Sequence, residues 1–220
     1  MKAKELIYNL KTNFENVNSE IAKANDHHLM FMLDEARAIL AARKMDSRIN
    51  VELMTQFLDV VPVVADKKIF GDLGDAEVMK VSIPKPINYN NGAGIFTVGS
   101  QDGQESFSRI TFSQIRTANF RKFTRSTPKW FLLDNDIYII NIPMEAASKV
   151  RVRGIFDEPW RVIDAKGEFK HLDPWNFEYP LSAKDAKGLY QLALTGDMGW
   201  GDAAARAVME QQEDQREKDA

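Results

Sequence analysis

Apolar residues recur at the helical period through the first fifty positions and at the period of an extended strand through the middle of the chain. Leu6, Ile7, Leu10 and Phe14 share one side of a helix, with Lys4, Lys11 and Glu15 elsewhere, which predicts a helix from Ala3 to about Asn16. The polar run Asn16-Val17-Asn18-Ser19 breaks it. Asn25 or Asp26 then caps a second helix from His27 to about Asp46, whose apolar stripe is Leu29, Leu33, Ala36 and Leu40. Arg37, Arg43 and Lys44 lie toward its C-terminal half, where cations suit the helix dipole. Two antiparallel helices joined by a short connection are expected, followed by a third helical piece from Asn50 to Leu58 that offers Val51, Met54, Phe57 and Leu58.

The period then changes. Val60-Val61-Pro62-Val63-Val64 is a β-branched run interrupted by proline, which reads as an edge strand. Period-2 stretches follow at Glu77 to Ile83, Ser108 to Ile115, Trp130 to Leu133, Ile137 to Ile142, Lys149 to Phe156 and Trp160 to Asp164. Asp134-Asn135-Asp136 joins two of them as a tight hairpin turn, and Asp157-Glu158-Pro159 separates two more. After Asp173-Pro174 the helical pattern returns. Ser182 and Asp185 make a capping box for a helix carrying Leu189, Leu192 and Ala193, which Thr195-Gly196-Asp197 ends. A last helix from about Asp202 to Glu217 has Ala203, Ala204, Ala207 and Val208 as its apolar positions, too few to bury much against its own domain.

These elements predict an α+β protein: a helical bundle from both ends of the chain, a central β-rich insertion of about six or seven short strands, and an extended C-terminal helix. The expected divisions are residues 1–59 for the N-terminal helices, 60–177 for the insertion, 178–201 for a bundle helix with a glycine hinge, and 202–220 for a C-terminal docking tail.

Composition narrows the function classes. The 220 residues contain no cysteine, which removes disulfide frameworks, thiolate zinc sites, thiol catalysis and iron–sulfur chemistry. No apolar run approaches the roughly 20 residues of a membrane span, and the N-terminus runs into an amphipathic stretch instead of a secretory leader. The net charge of −3 makes no global case for nucleic acid. From Glu210 to Ala220 five acids oppose two bases, so the tail accounts for that charge and the rest of the chain is neutral on balance.

Candidate chemistry is sparse. His27-His28 beside Asp26 is the best metal candidate, but the positions one helical turn on are Phe31 and Met32, which are not ligands of that kind. His171 with Asp173 lacks a nucleophile in a Gly-x-Ser-x-Gly turn. Gly71-Asp72-Leu73-Gly74 and Gly92-Ala93-Gly94 read as turns, since no phosphate-loop lysine follows either. Asp134-Asn135-Asp136 opens like a calcium loop but continues with Tyr138 and Ile139 where ligands belong. No catalytic residue, metal or cofactor is therefore assigned. One charge feature stands out: Ser106 to Leu133 holds Arg109, Arg116, Arg121, Lys122, Arg125 and Lys129 and no acid. Phe107, Phe112, Phe120, Phe123, Trp130 and Phe131 interleave with these bases, a composition suited to a phosphate backbone with stacking support. The preferred alternative makes the aromatics core or subunit-contact residues and the bases a solvated rim or partners for acids of a neighbouring copy.

Four stretches taken together resemble a known family: Glu5-Leu6-Ile7-Tyr8; Ala36-Arg37-Ala38-Ile39-Leu40-Ala41-Ala42-Arg43-Lys44; Lys149-Val150-Arg151-Val152-Arg153-Gly154-Ile155-Phe156-Asp157-Glu158-Pro159; and Tyr179-Pro180-Leu181 before a last helical pair. In order and spacing they are similar to the structural proteins of crAss-like tailed bacteriophages, the adaptor or ring components at the head-to-tail junction. The resemblance implies a non-enzymatic virion protein whose partners are the portal protein, adjacent tail or ring proteins, and itself, in a ring of about twelve copies made by heterologous contacts. It also implies that an extended C-terminal segment docks on the portal. A helix from Asp202 to Glu217 would span about 24 Å. Gly196, Gly199 and Gly201 would hinge it, and Met198 and Trp200, with Ala203, Ala204, Ala207 and Val208, would dock it. Arg116, Arg121, Lys122, Arg125 and Lys129 would then contact packaged DNA without reading sequence, or bind the next subunit. The rival readings are a tail-proximal ring or tail-completion protein and, further off, a DNA-binding module. No membrane partner is expected.

Overall fold

The computed structural model describes residues 1–15, 25–65, 78–89, 92–118, 126–142, 149–162 and 173–195. They fall into two compact units, Met1–Met54 with His171–Ala220, and Thr55–Lys170.

The first unit is helical. α1 (Ala3–Glu15) buries Leu6, Ile7 and Leu10, the stripe its period dictates. α2 (Asp26–Asp46) is capped by Asn25, whose side chain accepts the His27 amide at 3.2 Å, so Asn25 and not Asp26 takes the capping position. Its C-terminus closes with Arg48 N–H to the Met45 carbonyl (3.0 Å) and Ile49 N–H to the Lys44 carbonyl (2.8 Å). This paired closure requires a left-handed residue, and Arg48 supplies it at φ 56° where glycine is usual. α4 (Ala183–Thr195) follows the Ser182 cap, in which the hydroxyl accepts the Asp185 amide at 3.1 Å, and it buries Ala186, Leu189, Leu192 and Ala193. The Asp185 carboxylate is turned toward Lys44 of α2, joining the two helices. The N-terminus is tied to the segment before α4 by main-chain bonds: Tyr179 N–H to the Met1 carbonyl at 2.9 Å and Ala3 N–H to the Phe177 carbonyl at 3.1 Å.

The second unit is built on β-sheets. One sheet has the order β1 (Gln56–Val60), β10 (Val150–Gly154), β6 (Ile95–Ser100), all antiparallel. The other has the order β2 (Val63–Val64), β3 (Val78–Ser82), β9 (Asp136–Ile140), β8 (Lys129–Leu133), β7 (Ser108–Arg109), with a single parallel step between β8 and β7. A two-stranded ladder of β4 (Asn88–Tyr89) and β5 (Gly92–Ala93) stands beside them. Leu58, Val98, Val150 and Val152 of the first sheet share a core with Val81, Trp130, Ile137 and Ile139 of the second. The opposite face of the larger sheet carries a separate cluster of Val78, Phe131, Tyr138 and Ile140, covered by Ile115 of α3 (Ile115–Ala118). β9 is therefore buried on both faces, which explains its unbroken apolar run.

Several expectations are corrected. Asn50 to Leu58 is not a helix: Glu52–Met54 makes one 3-10 turn and Gln56–Val60 is a strand, because pairing with β10 outweighs a helical period only two turns long. Ser108 to Ile115 holds two strand residues before Phe112–Gln114 turns into α3. The described part of Trp160 to Asp164 is turn and helix instead of strand. The described residues hold ten short strands, more than the six or seven expected, since β4, β5 and β6 carry weak alternation. Gly92-Ala93-Gly94 contributes a strand, not a turn. Gly94 is glycine because a Cβ would stand 2.6 Å from the Ile87 side chain where the main chain meets Ile87 and Ile155. The run from Val60 to Val64, expected as one edge strand, is divided: Val60 ends β1 in one sheet, Val61-Pro62 interrupts the run, and only Val63–Val64 forms the edge strand β2 of the other. Asp134-Asn135 forms the β8–β9 turn with Asp134 at φ 55°. The last predicted helix lies outside the described residues.

Candidate assembly surfaces

The basic segment separates on folding. Arg109 is exposed on β7, its guanidinium 5.3 Å from the Trp130 ring centroid. Arg116 lies in α3, and Arg121, Lys122 and Arg125 lie outside the described residues. Lys129 is corrected: it is 4% exposed within β8, because alternation puts it on the Phe131 face, so it is no surface cation of this unit. The aromatics follow the preferred alternative. Phe107, Trp130 and Phe131 are buried, with the Trp130 indole N–H donating to the Phe107 carbonyl at 3.1 Å. Phe112 is exposed and meets Phe131 edge-on at 6.0 Å. Phe120 and Phe123 lie outside the described residues, as do the docking candidates Met198, Trp200, Ala203, Ala204, Ala207 and Val208 and the hinge glycines.

The other motifs are engaged in structural contacts. Asp26 pairs with Lys11, and the His27 ring packs against Trp175 at 5.1 Å. Asp136 pairs with Lys80 at 2.7 Å across the β3–β9 ladder. Among the described residues no group of three or more His, Cys, Asp or Glu side chains could hold a metal ion, and no helix is long and apolar enough to cross a membrane. His171 and Gly71 to Gly74 lie outside the described residues.

What the structure adds is a set of surfaces that sequence patterns left unmarked. On the outer face of the three-stranded sheet, Asp59 and Arg151 form a two-pronged ion pair at 2.8 and 3.2 Å, which raises the arginine pKa through the Asp59 carboxylate. Beside it Arg153 lies 5.7 Å over the half-exposed Phe57 ring. A bulge opposite Arg153 and Gly154 gives β6 one extra residue, Phe96, which is left 38% exposed next to the buried Ile95. No local signal announces that bulge. At the rim of the larger sheet Val61, Val63 and Val64 are exposed, and here the proline-broken valine run was a usable signal.

The helical unit has a different feature. Arg37, noted in the sequence only as a cation suited to the helix dipole, is fully buried on α2: it donates to the Met54 carbonyl at 3.0 Å and lies over the Tyr179 ring at 5.8 Å. The Tyr179 hydroxyl donates to Asp34 at 2.7 Å. Burial first, then the Asp34 carboxylate, raises the Tyr179 pKa well above the ordinary tyrosine value. This network orders the two segments of the unit and offers no reacting group to solvent.

The decisive comparison spans both units. Residues 5–205 match the family model described as phage tail ring protein 2, of the crAss ring proteins. The chain belongs to that family. The match bears out the crAss-like resemblance carried by Glu5 to Tyr8, Ala36 to Lys44, Lys149 to Pro159 and Tyr179 to Leu181. No curated protein matches the chain. A tail ring protein is a structural component of the phage tail, and a ring is by its nature an assembly of subunits.

Proposed function

We propose that this tail ring protein is a non-enzymatic connector, one ring of the stack joining the phage head to its tail, with copies arranged around the genome's path. The family match over residues 5–205 carries the reading, since it takes in most of both compact units. The exposed Phe57, Val61, Val63 and Val64, which lie outside the unit's inter-sheet core, support a role in assembly over one in catalysis. In this reading the portal is the partner on one side and a further tail ring on the other. The segment around Met198, Trp200, Ala203, Ala204, Ala207 and Val208 is the docking element, in a ring of about twelve copies. Of the basic candidates, Arg116, Arg121, Lys122 and Arg125 remain for backbone contact with DNA in the channel. A tail-proximal ring is the second reading, favoured by the printed description of the family as a tail ring.

Native mass spectrometry of full-length protein mixed with the portal, against a version ending at Gly201, tests the connector. About twelve copies added per portal ring, lost on truncation, is the expected result. Assembly with a tail component but not with the portal transfers the protein to the tail-proximal reading.

A further inference from the structure

The five-stranded sheet ends in two edges that fit each other. Following the order β2-β3-β9-β8-β7, three antiparallel steps and one parallel step leave β7 running opposite to β2. Two copies set side by side along the sheet, β2 of one against β7 of the next, therefore pair antiparallel, the more stable geometry. Hydrogen-bonding parity agrees. Ala65 N–H donates inward to the Val78 carbonyl at 2.8 Å, so strand alternation turns the Val64 amide and carbonyl to the open side. On β7, Ser108 and Ile110 donate inward to the Pro128 and Trp130 carbonyls at 3.1 and 2.8 Å, which turns the Arg109 main chain outward.

The side-chain faces agree as well. Val64 is the register partner of Met79, which packs on the inter-sheet core, and Arg109 is the partner of Trp130 in that same core. Both residues thus project from one face of the sheet, as partners in a continuous pleat must. Among the described residues nothing blunts the β2 edge: Val61 to Ala65 carries no charge, and Val61, Val63 and Val64 are 58, 56 and 64% exposed.

We propose that β2 of one copy pairs with β7 of the next, Val64 opposite Arg109, so that the sheet continues from subunit to subunit around the ring. The occupant of each edge is a second copy of this chain. The contact joins two different faces, as ring closure requires, and the proposal rests on the chain forming a ring.

The natural chain has no cysteine, so cross-linking is specific. Directly opposed residues of an antiparallel pair have Cα atoms about 5.5 Å apart, within disulfide reach. Full-length protein carrying both Val64→Cys and Arg109→Cys is oxidised and run without reductant, with its native mass measured in parallel. A covalent ladder extending beyond dimer, absent from either single variant, is expected. Val64→Pro removes an amide that points outward and spares the Ala65 bond, so it should abolish the ring while leaving the circular dichroism unchanged. Val64→Thr should keep the ring. Dimers from Val64→Cys alone would overturn the proposal in favour of a two-fold edge. Rings of full native mass without cross-links, or rings formed by Val64→Pro, would overturn the edge pairing while leaving the ring intact. A chain that stays monomeric and uncross-linked would overturn both.

Discussion

The two units of this protein solve burial in opposite ways. The helical unit places charged and polar groups, Asp34, Arg37 and Tyr179, at its centre, and two segments far apart in sequence meet through them. The β unit encloses Leu58, Val98, Trp130, Ile139 and Val152 and leaves its ion pairs, Asp59–Arg151 and Lys80–Asp136, partly exposed. A helix presents a narrow stripe, and the three described helices of this unit gain alignment from directional bonds. Two stacked sheets already interlock through alternating side chains, and their remaining main-chain groups lie at the edges. The first unit is thus specified internally, and the second is better placed to build outward.

The strongest way to break this contrast is Arg37→Met. Volume is nearly kept, but the buried Met54 carbonyl loses its donor and the Tyr179 ring loses the cation over it, and a loss of about 1–3 kcal/mol in denaturant titration is expected. In the β unit the corresponding weakness is space. Gly99→Ala puts a Cβ 2.2 Å from the Glu105 carbonyl oxygen and should cost roughly 1–3 kcal/mol, with faster hydrogen exchange in β6.

Acid sharpens the comparison further. Burial pushes the Asp185 carboxylate up, but the Lys44 ammonium and Ser182 hydroxyl outweigh it and hold its pKa below the ordinary value. A depressed folded pKa means that this stability is complete above the unfolded value and is lost as pH falls from there through the folded value. Acid unfolding should show α4 amides exchanging first, and Asp185→Asn should flatten that dependence at a cost of about 1–2 kcal/mol near neutrality. Tyr179 carries the opposite sign. Its raised pKa gives stability that is complete below the ordinary tyrosine value and lost as pH rises above it, so the helical unit should also be the alkaline-sensitive one. The smallest effect is a gain. Arg48→Gly relieves a left-handed residue at the end of α2 and should raise stability by about 1 kcal/mol, seen as a higher midpoint with an unchanged slope.

Elements with local signals were legible. The helical period placed α1 and α2 within a residue or two, Ser182 marked the start of α4, and the broken valine run marked an edge. The candidate site was legible only in class. The acid-free run of bases and aromatics from Ser106 to Leu133 allowed two readings, and strand alternation follows the preferred one for Trp130 and Phe131, which lie in the interior, while it also buries Lys129 and leaves Arg109 outside. Arg37 was read from charge alone and proved to be core, because its partner Tyr179 comes from the far end of the chain.

The sequence by itself determined the caps, the helical stripes, the hairpin at Asp134-Asn135, the absence of thiol chemistry and, through four short stretches, the ring family. Those depend on interactions within a few residues or on composition. The tertiary structure decided which strands became edges, which face each strand showed, and which charges were buried. Each of these depends on partners brought together from remote positions: Asp59 meets Arg151 at a separation of 92 residues and Asp34 meets Tyr179 at 145. Strand pairing at that range is fixed by the packing of a whole core, and a local pattern holds no record of it.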